Sequence, residues 1–214
     1  MNYILQNPLE VGELLSQHIW ITLLTLAIAV ILAVPLGWLA ARVSWLRRPI
    51  LGTLGVIYTI PSLALIILLV PLFGLNAKSA IAATVLYSQV LLVRNLVVGL
   101  DAIDPLVIEA GRSMGMNGWQ LWWRVQLPLV LPVFLAGMRL AAIVTVAIAT
   151  IGAKFGAGGL GVLLFDGIAQ TGRYDKIWAG AIAVIGLAFV INGSLFTLET
   201  ITNPMLRKNL WSRS

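Results

Sequence analysis

Two glycine-bearing stretches carry residue types at spacings that chemistry uses. Gly156-Ala157-Gly158-Gly159-Leu160-Gly161 has the G-x-G-x-x-G spacing with which a backbone turn approaches a dinucleotide pyrophosphate. That spacing binds a nucleotide only between a strand and a helix of a βαβ unit, with an acidic residue following on the next strand. Here it follows a long apolar segment and no such acid succeeds it, so nucleotide binding is rejected. The glycines read instead as a tight loop where backbones approach closely, with Gly158 and Gly159 as candidates for an outer gate. The second stretch is Glu109-Ala110-Gly111, followed by Gly115, Val125 and Leu127-Pro128. It lies in a polar interruption between very apolar segments and has no catalytic partner. The sequence has no cysteine and one histidine, His18, so thiol chemistry is absent and a histidine metal site or triad is implausible. What remains is a mechanical contact: a short charged helix held by helices of bilayer length.

Composition supplies those helices. Of 214 residues 60% are hydrophobic and 10% charged, and the mean hydropathy is +0.98. A soluble domain is nearer a quarter charged, and too little polar sequence is present to cover a soluble core. Five segments are long enough to span: 19–41, 50–75, 79–100, 127–153 and 177–198, where about 20 apolar residues are needed. Residues 155–170 are too short and glycine-rich, and read as an external loop with a partial helix. Arg42, Arg47, Arg48, Arg112, Arg124, Arg207, Lys208 and Arg213 fall on one side of these spans, against Lys78, Lys154, Arg173 and Lys176 on the other. The richer side should be cytoplasmic. That places residues 1–18 outside, as the start of an uncleaved anchor, and the tail 202–214 inside. The bases are scattered singly, which argues for membrane topology and against nucleic acid.

The cytoplasmic loop 101–126 is well punctuated. Asp104 before Pro105 is an N-cap with proline at the first helical position. The helix runs from Pro105 to Met114 and stops at Gly115. Asn117 caps a second helix, with Gln120 placed for a capping box, and Leu127-Pro128 turns the chain into the next span. In the first helix Leu106, Val107, Ala110 and Met114 share a face, Glu109 can pair with Arg112, and Ala110-Gly111 keep the centre thin for another surface. Trp119, Trp122 and Trp123 suit a helix at headgroup level.

Inside the spans, Arg94 can snorkel to the cytoplasmic face, while Arg139 should face protein or water. Thr84, Ser88, Gln89 and Asn95 form a stripe better explained by helix–helix hydrogen bonding than by a solute path. Pro35, Pro61 and Pro71 are places where spans can kink. Candidates for a pathway or its gates are Tyr58, Ser62, Ser88, Arg139, Gly158 and Gly159.

The spaced set Glu109-Ala110-Gly111, Gly115, Val125, Leu127-Pro128 resembles the signature loop of permease subunits of binding-protein-dependent ABC importers. Gly111 replaces the usual second alanine and Val125 the usual isoleucine. Ala136-Gly137-Met138-Arg139, Ile60-Pro61-Ser62-Leu63-Ala64 and the Gly156–Gly161 run are similar to permeases for osmoprotectants. The resemblance implies an all-α integral membrane protein with the five-helix type I importer core. It also implies an inner-membrane location and a subunit that is not itself an enzyme and holds no cofactor. ATP would be bound by a cytoplasmic ATPase dimer docked on helix 105–115. A second permease, identical or paralogous, would complete the pore, and an extracytoplasmic binding protein would deliver glycine betaine, choline, carnitine or proline betaine. An amino acid such as methionine is the alternative cargo. A self-contained ion-coupled carrier or channel is the rival from another class, and it would need a coupling-ion site at mid-membrane. With no catalytic constellation, a membrane enzyme is the most distant reading.

Overall fold

The computed structural model describes residues 2–202; the tail bases Arg207, Lys208 and Arg213 lie outside the described residues. Among the described residues all regular structure is helical: α1 Asn2–Gln6, α2 Pro8–Arg42, α3 Ser44–Thr59, α4 Ser62–Phe73, α5 Ala77–Asp101, α6 Pro105–Ser113, α7 Gly118–Leu121, α8 Leu127–Gly152, α9 Gly161–Ala169 and α10 Tyr174–Thr202. Four continuous helices are long and apolar enough to cross a membrane: α2, α5, the α7–α8 run and α10.

The segment 50–75, expected as one span, is instead two helices, α3 and α4, bent by 100° to each other. Pro61 is the reason. Its ring pushes Ile60 out of the helical region, to φ −69° and ψ 126°, and Ser62 then opens α4. The chain was also expected to turn at Leu127-Pro128, and it does not. A π-helical turn, Trp122–Gln126, joins α7 to α8 in one run from Gly118 to Phe155. A proline lacks an N–H and its ring crowds the carbonyl four residues back. Widening the helix by one residue just before Pro128 relieves both, so the helix continues.

The core is centred on α5, which packs on α2 and α8, while α10 lies against α8 and α9. Small residues make the closest approaches. A Cβ placed on Gly137 would sit 2.6 Å from Asn95 Cβ, one on Gly37 2.7 Å from Leu96, and one on Gly99 2.9 Å from Val130. Leu92, Val93, Leu96, Val97 and Val130 fill the space between these helices. The polar stripe of α5 is spent on packing. Gln89 Nε2 donates to the Ala29 carbonyl of α2 at 3.0 Å, and the buried hydroxyl of Ser88 lies 3.4 Å from that of Thr145 on α8.

At the end of the bundle away from α6, the glycine loop folds back on α2. Gly156, Gly158 and Gly159 adopt φ of +79°, +77° and +79°. The Gly159 N–H donates to Gln17 Oε1 at 3.0 Å and the Leu160 N–H to His18 Nδ1 at 3.2 Å. His18 Nδ1 is therefore an acceptor, so Nε2 carries the proton and donates to the Val146 carbonyl at 3.3 Å. The single histidine is a buried neutral pin joining α2, α8 and the loop. Nearby, Tyr3 donates to Glu10 at 2.7 Å, and burial with that carboxylate pushes its phenol up to about 12.

Gly137→Leu should push α8 off Asn95. Overpacking of this kind costs about 1–3 kcal/mol, seen as reduced membrane-inserted protein and a lower unfolding midpoint in detergent. Gly193→Leu on α10, where nothing lies within 4 Å of an added Cβ, should leave both unchanged.

Candidate functional site

The loop between α5 and α8 is built as its sequence dictates. Asp104 Oδ1 accepts the Leu106 N–H at 2.8 Å and caps α6. The helix closes through the Met114 N–H to the Ala110 carbonyl at 3.0 Å, and Gly115, at φ +78°, reverses the chain. Asn117 and Gln120 then form a reciprocal capping box, with distances of 2.8 and 3.0 Å. The orphan N–H groups of both short helices are thus partly satisfied by side chains, and the loop is fixed in itself.

Gly111 faces inward. It was expected to keep α6 thin for another surface, but it is buried, and a Cβ there would lie 2.6 Å from Leu121 Cδ1 and 3.6 Å from Met116 Sδ. Its smallness lets α6 lie down on α7 and on the edge of Val125. Glu109 and Arg112 also depart from expectation, since they form no ion pair. Among the described residues the pairs are Arg47–Asp101, Arg139–Glu199, Arg173–Asp175 and Lys176–Asp166. The flank of α6 beside Gly111 is free: Leu106 is 69% exposed, Val107 41% and Met114 76%, with Glu109 and Ala110 exposed beside them.

Two contacts tie this loop to the bundle. Arg42, the last residue of α2, donates to Gln126 Oε1 at 2.8 Å. Arg47 at the start of α3 grips Asp101 at the end of α5 with both guanidinium nitrogens, Nη1 lying 3.3 Å from Oδ1. Between them is a polar cleft of about 470 Å³ bordered by Asp101, Glu109 and Arg112. Sequence reasoning placed Asp101, Leu121 and Gln126 in the loop but gave them no part in holding it. The pairing of Arg47 with Asp101 had a signal, since both stand just outside apolar runs on the same side; Gln126 and Leu121 had none.

The pathway candidates are not brought together. Tyr58, in the last turn of α3, meets Tyr87 of α5 with ring centroids 5.3 Å apart and the rings tilted by 55°. It also borders a cleft of about 210 Å³ with Arg94, and Ser62 lies just past the bend. Ser88 is sealed between α5 and α8, and Gly158 and Gly159 are pinned at the far end. Arg139 bridges α8 to α10: Nη1 donates to Glu199 at 2.7 Å, Nε to Asn192 at 3.1 Å, and the guanidinium lies 4.7 Å over the Phe196 ring. Glu199, close to the end of its helix, was the unrecognised partner.

Residues 33–208 match the family described as the binding-protein-dependent transport system inner membrane component. The chain belongs to that family. This permease is 38% identical over 95% of its length to the osmoprotectant import permease protein OsmW of Salmonella typhimurium, 97% of which is covered. It is 37% identical to the carnitine transport permease protein OpuCB of Listeria monocytogenes, over 88% of this chain and 86% of that one. It is 33% identical to the choline transport system permease protein OpuBD of Bacillus subtilis, over 97% and 92% of the two. The fold is that of a permease chain in the inward-facing MetNI methionine ABC transporter, with a TM-score of 0.82 at 19% identity, covering 91% of this chain and 96% of that one. The permease is therefore a multi-pass inner-membrane component of an ABC importer and carries the transport role, not the catalytic one.

The packing of Gly111 on Leu121 makes a reciprocal prediction. Gly111→Ala should unseat α6 and lower uptake severalfold with normal membrane insertion. The double substitution Gly111→Ala, Leu121→Ala should recover part of that loss, with a coupling of about 0.5–3 kcal/mol expected for residues in contact. Losses that simply add would show that Gly111 acts elsewhere.

Proposed function

We propose that this permease forms half of the translocation pathway of an ATP-driven importer for a small osmoprotectant such as glycine betaine, choline, carnitine or proline betaine. The observation that carries the coupling role is the exposed apolar face of α6, presented by a loop whose other face is fixed against its own bundle. A cytoplasmic ATPase dimer receives Leu106, Val107, Ala110 and Met114, with Glu109 at the contact edge. The remaining motif residues serve the loop itself: Gly111 and Val125 pack it, Gly115 turns it, and Leu127-Pro128 carry it into α8. The end of the bundle bearing Arg42, Arg47 and Arg112 faces the cytoplasm, where basic residues gather, and the start of the chain lies outside.

A second permease, identical or paralogous, completes the pore, and an external binding protein delivers the solute. The solute class rests on relatives that carry osmoprotectant, carnitine and choline names over nearly their whole length. The likeness to a methionine transporter is one of fold. On this reading Tyr58 and Ser62, beside the bend between α3 and α4, face the pathway, while Arg139 acts as a fastener between α8 and α10. A self-contained ion-coupled carrier is disfavoured because, among the described residues, the acids of the long apolar helices stand near helix ends, and Glu199, between α8 and α10, is engaged by Arg139.

The test is uptake by proteoliposomes holding the permease with its co-purified partners. Labelled glycine betaine, carnitine or choline should accumulate when ATP is enclosed with the ATPase and cease when ATP is withheld. Uptake that survives loss of the ATPase and collapses with the ion gradient would favour the carrier instead. For topology, single cysteines at Ser16 and Ser113, both exposed, should react with an impermeant thiol reagent from opposite sides of the membrane. Same-side labelling would overturn the orientation.

A further inference from the structure

Beside the polar cleft runs a second and larger depression, a groove of about 770 Å³ between the end of α2 and the short helices α6 and α7. Its apolar wall is Val34 and Trp38 on one side and Trp119 and Trp122 on the other, and its charged lining is two arginines, Arg42 and Arg112. Arg42 uses one nitrogen on Gln126. Arg112 has no ion-pair partner among the described residues; both arginines also border the neighbouring cleft, whose acids Asp101 and Glu109 do not line this groove. The residues from Val34 to Arg42 cover about 12 Å of helix, so the groove runs from a cationic mouth at the bundle end toward the depth of the span. Indole rings settle at the headgroup level of a bilayer, and an arginine fork holds phosphate with two parallel N–H donors.

We propose that this groove binds an anionic phospholipid, with the phosphate between Arg42 and Arg112 and an acyl chain along Val34 and Trp38. An apolar channel alone would accept any lipid tail, and the two arginines select a headgroup with net negative charge. The site joins α2 to α6 and α7, the elements that carry the candidate loop, so lipid charge is read where the loop is held. The inference rests on the chain lying in a bilayer and is independent of which solute it moves.

The test uses the full transporter complex, reconstituted in vesicles of equal phosphatidylglycerol and phosphatidylcholine and then re-solubilised. The lipids that stay bound per permease are counted by mass spectrometry. Phosphatidylglycerol should be enriched over the bulk ratio. Arg112→Gln should reduce that enrichment about fivefold, as expected for one basic residue at an anionic surface. Gly118→Phe offers an independent variant. Gly118 borders the groove and has nothing within 4 Å of an added Cβ, so the ring fills the groove while both arginines stay, and it should also remove the enrichment. A bulk lipid ratio on the unaltered complex would overturn the proposal, as would an enrichment that neither variant changes. Enrichment that appears only after the ATPase is stripped away would overturn it too, because the groove would then be a protein contact.

Discussion

In a bilayer the helices of this permease gain nothing from hiding apolar side chains from one another, because lipid tails are as apolar as leucine. Association must come from close fit, and close fit requires small residues where helix axes approach. Gly37, Gly99, Gly137 and Gly152 meet that requirement, each set where an added Cβ would strike a neighbouring helix at 2.6–2.9 Å. All four contacts involve α5: Gly37 of α2 meets Leu96, Gly137 and Gly152 of α8 meet Asn95 and Ala80, and Gly99 of α5 itself meets Val130 of α8. The uncharged faces of α10 are left outward, with Trp178 and Phe189 exposed as lipid-facing residues are. Everything the chain presents at either end is held by this three-helix contact.

The two ends use it differently. At one, the glycine loop is fastened by side chains of α2, and His18 satisfies one backbone N–H and one backbone carbonyl with a single neutral ring. At the other, the loop of α6 and α7 is clamped by Arg42 on Gln126 and by Arg47 on Asp101, and no hinge separates it from α8. The π turn before Pro128 lets helix run on where a proline would otherwise stop it. Gly111 seats α6 against Leu121, and α7 runs on into the spanning helix α8. The sharp bend lies elsewhere, between α3 and α4, where Tyr58 borders a small cleft with Arg94.

Much of this was legible in the residues. Long runs with at most one charge located α2, α5, α8 and α10, since only bilayer-length helices explain so little charge. Asp104-Pro105, Gly115 and Asn117 with Gln120 marked both starts and the end of α6 to within a residue, because caps are local chemistry. Pro61 signalled a kink, but its size depended on α4 packing sideways on α5, which no local signal records. Pro128 misled in the opposite direction, since a π turn absorbs it and sequence alone does not show where a helix will widen. Gly111 carried the family pattern, while its contact with Leu121 emerged only when α6 folded onto α7. Arg139 was recognised as costly in lipid, yet its partner Glu199 lies 60 residues away on α10, beyond the reach of any spacing rule.

The central claim is that the outward face of α6 is where an ATPase pushes on this membrane domain. The sequence has no cysteine, so one placed at Met114 gives an unambiguous probe, with a matched one at the exposed Phe189 of α10 as reference. The direct measurement is bifunctional crosslinking of each variant in native membranes, followed by identification of the attached protein. The account predicts a crosslink from position 114 to an ATP-binding subunit, with a yield that changes when ATP is added, and none from position 189. An assembled, transporting complex in which position 114 never reaches the ATPase would contradict it.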